Sequence, residues 1–141
     1  MTLIRTFKEK DRKKVTQLWD ICGLIRSWND PNKDLDRKQR LGKDLFLILE
    51  LENDIIGTAM GGYDGHRGVM NYLAIHPGFR GNGFGKLLVK EVEKRLVEKG
   101  CPKVNLLVRS DNAEVGSFYE SINYEKQEDV FIFGKRLMPD I

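Results

Sequence analysis

Val15, Leu18, Trp19 and Cys22 fall at i, i+3, i+4 and i+7, the spacing of one face of an α-helix. A helix is therefore predicted over residues 8–23, with Gly23 suited to its C-terminal exit. Ahead of it, Leu3, Arg5 and Phe7 share one side of a pleat and Ile4 takes the other, so 3–7 reads as a strand. Residues 26–31 form a loop in which Pro31 biases Asp30 away from helical geometry, and a short polar helix follows over 34–43. Strand-like runs at 45–52 and 55–63 flank Asn53-Asp54, a hairpin signal. The turn Asp64-Gly65-His66-Arg67-Gly68 leads into a strand at 69–76. A long amphipathic helix over 83–99 comes next, then a strand at 103–109, a helix at 112–121 and one or two closing strands within 124–137.

This order places antiparallel hairpins first and a strand–helix–strand unit after them, the latter parallel and right-handed. The expected class is α/β, with a mixed, mainly antiparallel central sheet and flanking helices. With 141 residues and no repeat, low-complexity tract or linker, a single domain over 1–141 is expected, long enough for a real core.

Charge and composition mostly exclude partners. The net charge is +3, with acids and bases interspersed. Lys8 to Lys14 is the densest basic stretch, but Glu9 and Asp11 interrupt it, so it reads as a solvated helix face rather than a nucleic-acid footprint. No apolar run approaches the ~20 residues that cross a bilayer, and the N terminus has no signal-peptide core. No nucleic-acid or membrane partner is expected. Cys22 and Cys101 match no metal or redox spacing, so no metal is expected; Cys22 sits at a core position, and the default compartment is the cytoplasm.

Candidate chemistry concentrates in Ile75-His76-Pro77-Gly78-Phe79-Arg80-Gly81-Asn82-Gly83-Phe84-Gly85-Lys86. This stretch joins a strand to a long helix, where orphan backbone amides and the helix dipole favour an anion. Glycines 81, 83 and 85 remove side chains there, and Arg80 and Lys86 add positive charge. A plain glycine-rich turn and a phosphate cradle are both open from the residues alone. The dinucleotide pattern G-x-G-x-x-G fails, because Lys86 stands at its third glycine. The Walker pattern fails as well, with Arg80 at its first glycine and Leu87 at its hydroxyl. What remains is R-x-x-G-x-G at Arg80, Gly83 and Gly85.

That signature resembles the pyrophosphate-binding motif of the GNAT superfamily of acetyltransferases. The likeness extends over nearly the whole chain, through Asn71 to Pro77 running into Arg80 to Gly85 and the later Asn112-x5-Phe118-Tyr119-Glu120. More narrowly, Ser27 to Pro31, Met60 to Gly68 and Gly100 to Lys103 are similar to a branch of small bacterial members. The resemblance implies the GNAT acyl-CoA N-acyltransferase fold and acetyl-CoA as the acyl donor. It also implies direct attack by a primary amine, on a small molecule or a peptide, in a ternary complex. A non-catalytic acyl-CoA sensor or interaction module on the same scaffold is the alternative. An exposed edge strand near the C terminus is compatible with a homodimer.

The resemblance also assigns residues. Main-chain groups of Leu73, Ala74 and Ile75 would pair with the pantetheine arm as an added strand. Arg80, Gly81, Asn82, Gly83, Phe84, Gly85 and Lys86 would wrap the pyrophosphate. Asn112 would bond the pantetheine or cap the last helix. Tyr119 would protonate the departing thiolate, with Phe118 on the core side and its edge against the coenzyme. Asn123 replaces the glycine usual at this helix exit and tolerates the left-handed conformation. Ribosomal-protein alanine acetyltransferases carry a glutamate where Leu107 stands here, which counts against that activity. Asp64 and His66 are the candidate general bases; Asp64-Gly65 also reads as an ordinary turn. Arg26, Trp28, Asn29, Asp30, Tyr63 and Tyr72 are the acceptor-side candidates. His76, before Pro77, reads as structural.

Overall fold

The computed structural model describes residues 1–140. Its sheet has four strands in the order β1-β2-β3-β4, every neighbouring pair antiparallel. They are β1 (Thr2–Thr6), β2 (Phe46–Leu51), β3 (Asp54–Tyr63) and β4 (Gly68–Ile75). The helices are α1 (Arg12–Ile21), α2 (Pro31–Arg40), α3 (Phe84–Glu98) and α4 (Ala113–Ser121). Short 3-10 turns precede α1 at Glu9–Asp11, β2 at Lys43–Leu45 and the glycine loop at Pro77–Phe79. The chain divides into two compact units, Met1–Leu106 with Asp140, and Leu107–Pro139.

Strand alternation sorts the first unit into layers. Phe46, Ile48 and Met60 join Val15, Leu18 and Trp19 of α1 and Leu35 of α2 in one core. The opposite face carries α3 through buried Leu88, Val92 and Leu96. Gly61 of β3 sets how close α3 comes, since a Cβ there would lie 2.8 Å from Val92 Cγ1 and 3.2 Å from the Leu45 carbonyl oxygen. The antiparallel sheet with flanking helices is the class expected.

Boundaries differ in instructive ways. α2 begins at Pro31, with the Asp30 carboxylate accepting from the Asn32 amide at 2.9 Å; proline is preorganised for the first helical position and Asp30 is its cap. The β2–β3 turn is Glu52-Asn53, both left-handed (φ 49° and 70°), between paired Leu51 and Asp54. The strand expected at 103–109 is reduced to one parallel bridge, Gly68 with Val104. Past that bridge the described residues form no ladder, and Leu107 is 65% exposed. The closing strands expected within 124–137 are likewise not formed. Val130, Phe131, Ile132 and Phe133 have strand-like character but stand exposed, and strand propensity without a paired neighbour does not make a strand. The C-terminal edge invoked for a homodimer is therefore absent among the described residues.

One buried polar chain ties α1 to the sheet. Trp19 Nε1 donates to Thr58 Oγ1 at 2.9 Å, and that hydroxyl donates to the Tyr72 carbonyl at 2.8 Å. Thr58→Val keeps the shape but orphans an indole N–H and a carbonyl. Chemical denaturation should show a loss of about 1–3 kcal/mol, the cost of a buried unsatisfied group; an unchanged midpoint would remove this chain from the account of stability.

Candidate active site

The glycine loop forms a turn that delivers the N terminus of α3. Gly81 and Gly83 adopt φ of 81° and 79°, a region side chains enter at a cost. A Cβ at either would meet nothing within 4 Å, so the space over the turn is open. Gly83 is the N-cap of α3, and Leu87 N to Gly83 O at 3.1 Å is the first bond of the helix. The amides of Phe84, Gly85 and Lys86 precede that bond, the position from which a helix offers donors to an anion. Arg80 Nε donates to Ile75 O at 3.0 Å, tying the loop back to the end of β4, and Asn82 Nδ2 donates to Phe79 O at 3.0 Å within the loop. His76 Nδ1 accepts from the Gly78 amide at 3.0 Å, the structural role expected of it.

β4 breaks its pairing at the place where Leu73, Ala74 and Ile75 begin. Thr58 pairs with Ala74 and Met60 with Asn71, so Ala59 faces both Tyr72 and Leu73. This is a β-bulge, which interrupts the ladder and re-aims side chains. Tyr72 takes φ 49° in it, unusual for a bulky residue. The Thr58 bond to its carbonyl and a stack on Trp19, with ring centroids 3.7 Å apart, hold it there.

The bulge opens into a cleft of about 620 Å³ between α2, the α1–α2 loop and the ends of β3 and β4. Asn29, Asp34, Arg37, Lys38, Tyr72 and Leu73 contribute to its wall. The Tyr72 hydroxyl donates to Asp34 Oδ2 at 2.5 Å and receives Asn29 Nδ2 at 2.7 Å. Burial, then the Asp34 carboxylate, pushes the Tyr72 phenol well above the ordinary tyrosine range. Arg37 bonds Asp34 at 2.6 Å and Asp140 at 2.9 Å. Lys38 Nζ donates to the Gly61 carbonyl, and burial lowers its pKa.

Of the acceptor-side residues expected from the sequence, the structure brings Asn29 and Tyr72 together in this cleft. Asp30 caps α2, and the Arg26 guanidinium lies 5.9 Å from the centroid of half-exposed Trp28. The Tyr63 hydroxyl lies 3.3 Å from Gly65 O and 3.4 Å from Gly100 O, bracing the β3–β4 turn. Asp64 Oδ1 accepts from the His66 and Arg67 amides, both at 2.7 Å. The Arg67 and His66 amides hold that exposed carboxylate below its usual pKa. Asp34, Arg37 and Lys38 were missed, though their spacing on a polar helix was visible.

In the second unit, Asn112 caps α4, its Oδ1 accepting from Val115 N at 3.2 Å. Tyr119 is 8% exposed and Phe118 only part-buried, the reverse of the expected order. The Tyr119 ring meets Phe118 and Tyr124 edge-on, with centroids 5.2 and 5.4 Å apart. Burial pushes its phenol up to about 12. Asn123 takes φ 74°, the left-handed exit expected of it. Cys22, expected in the core, is half-buried, its Sγ 3.4 Å from Ile75 O.

A model of the acetyltransferase (GNAT) family matches residues 12–124. An acetyltransferase of Sodalis glossinidius (strain morsitans) is 48% identical over 137 residues, covering 97% of this chain and 96% of the relative. Ard1 from Thermoplasma volcanium superposes with a TM-score of 0.78 at 24% identity, over 86% of this chain and 81% of that one. AAC(6')-Iy, in complex with a bisubstrate analogue, gives 0.76 at 20% identity, over 96% and 99%. At those identities the two structures bear on the fold, and the family match and the close relative bear on kinship. The glycine turn, the bulged strand and these likenesses converge: the chain belongs to the GNAT family of acetyltransferases.

Proposed function

We propose that this protein transfers the acetyl group of acetyl-CoA to a primary amine by direct attack in a ternary complex. The observation that carries this is the left-handed Gly81–Gly83 turn at the start of α3, tied to a β4 strand whose ladder is interrupted at Tyr72-Leu73. The open space over the turn fits a pyrophosphate, which the amides of residues 81–86 would hold, with charge from Arg80 and Lys86. Main-chain groups of Leu73, Ala74 and Ile75 would align the pantetheine, and Asn112 and Phe118 would add contacts to the coenzyme. Tyr119 would supply a proton to the departing sulfur. Among the described residues Asp34 is the carboxylate lining the cleft, whereas Asp64 is engaged in its turn. The reading therefore favours Asp34 over Asp64 or His66 as the group that receives the ammonium.

Calorimetric titration with acetyl-CoA, with NAD and ATP as controls, tests this. Selective acetyl-CoA binding is expected, and none from folded protein would overturn the proposal. Gly83→Val puts a β-branched side chain at φ 79° and fills the open space. If the turn relaxes to relieve a strain of roughly 1–2 kcal/mol, or the side chain takes the space of the pyrophosphate, acetyl-CoA binding should weaken by about 5- to 30-fold. Unaltered affinity in this variant would move the pyrophosphate elsewhere.

A further inference from the structure

We propose that the acceptor is a small amine bearing its own carboxylate beside the nitrogen, a free α-amino acid, bound with its ammonium at Asp34 and its carboxylate at Lys38. This rests on the acetyl-transfer reading above.

Asp34 and Lys38 stand four residues apart on α2, the spacing at which opposite charges pair across a helix turn, with Cβ atoms about 5–6 Å apart. Here they do not pair with each other. Asp34 turns to Arg37 and the Tyr72 hydroxyl, and Lys38 turns to the Gly61 carbonyl. Both face the same cleft. A zwitterion with its charges a few ångströms apart matches a carboxylate and an ammonium held apart at that spacing.

The balance of charge points the same way. Arg37 lies between two carboxylates, Asp34 and Asp140, and is compensated. Lys38 is not: its ammonium has three donors, and among the described residues its one hydrogen-bond acceptor is a neutral carbonyl. The carboxylate that acts on it from a distance, Asp44, is itself bonded to Lys99 at 2.8 Å. A half-buried cation without a counter-anion is costly, and a bound carboxylate would relieve that cost. The Asp34 carboxylate has two oxygens and about four lone-pair sites, enough for a substrate ammonium beside its present partners. Leu24, Leu41, Met60 and Val69 supply apolar wall, which favours an apolar side chain. A cleft of about 620 Å³ suits a molecule of this size.

The test is a steady-state acetylation assay with the twenty α-amino acids and their carboxamides, run alongside acetyl-CoA calorimetry. At least one apolar amino acid should be acetylated with kcat/KM about 10- to 100-fold above its carboxamide, the worth of one charge-assisted hydrogen bond. In Lys38→Met that ratio should collapse towards one, through KM rather than kcat, and Lys38→Arg should restore part of it. Should Lys38→Met fail to fold, Lys38→Gln serves in its place, and the ratio in the parent protein is decisive on its own. Failure to bind acetyl-CoA would overturn the acetyl-transfer reading and this inference with it. Normal acetyl-CoA binding with no amino acid accepted, or with carboxamides accepted equally, would overturn the amino-acid acceptor alone. A ratio that survives loss of the Lys38 charge would overturn the assignment to Lys38.

Discussion

Tyr119→Phe should lower kcat by about 10²- to 10³-fold, the usual worth of a positioned proton donor, while acetyl-CoA binding stays within about twofold of the parent. Phenylalanine keeps the ring that Phe118 and Tyr124 meet edge-on, so the variant deletes a proton and little packing. A phenol pushed up to about 12 is protonated throughout the neutral range, as a donor must be. At first sight that value hinders transfer to a thiolate whose parent thiol titrates near ~8.5. Burial, however, disfavours either anion, so a sulfur leaving in the same dry surroundings would be raised too. The gap between donor and acceptor then stays close to the ~1.5 units of the free groups. The raised phenol also implies a pH signature. Activity should show no alkaline loss from this group until its folded value is approached, and the folded state should lose stability as pH rises from the unfolded value of 10.0 towards about 12. Single-turnover kinetics with calorimetry on the same samples separate chemistry from binding. Parent-like turnover in Tyr119→Phe would remove the proton-donor role.

The parts of this molecule legible in its sequence are those governed by local backbone sterics. Gly81 and Gly83 signalled a left-handed turn before a helix, and both take positive φ. Asn123 stood where a glycine is usual and adopts the same conformation. The α1 face at Val15, Leu18 and Trp19 is buried as its period requires. Tyr72 shows the opposite case. Nothing about tyrosine announces φ 49°; the bulge exists because Trp19 and Thr58, distant in sequence, hold it. Asp34 and Lys38 lie within a segment whose sequence says only that it is a short polar helix, since only the placement of α2 over the ends of β3 and β4 makes them cleft residues. Residues 130–133 failed for a related reason: apolar, β-branched composition says nothing about whether a neighbouring strand is there to pair.

Arg5→Ala should cost about 3–5 kcal/mol at neutral pH, the penalty for stranding a buried charge, and the cost should shrink in acid. The guanidinium of Arg5 holds Asp11 through two bonds, at 2.7 and 2.9 Å, and Glu50 at 2.8 Å. Asp11 also accepts from the Lys8 amide at 2.8 Å, fastening the turn ahead of α1 to β1 and β2. Its side chain is 5% exposed, so removing Arg5 leaves a largely buried carboxylate without its ion-pair partner. In the parent, burial alone would raise the Asp11 pKa, but the Arg5 bonds and the Lys8 amide overcome it and the net shift is downward. A folded pKa below the unfolded 3.8 means stability present above that value and lost as pH falls through the folded one. In Arg5→Ala only the Lys8 amide and the nearby Lys10 charge oppose burial, so acid that neutralises Asp11 relieves the variant while it weakens the parent. Urea unfolding of both proteins between about pH 7 and pH 3 should therefore show the two stabilities converging. Adding Asp11→Asn to Arg5→Ala should recover part of the loss at neutral pH, because the stranded group is then neutral. A stability gap that stays constant with pH would assign the cost to lost packing of the Arg5 stem rather than to the Asp11 charge.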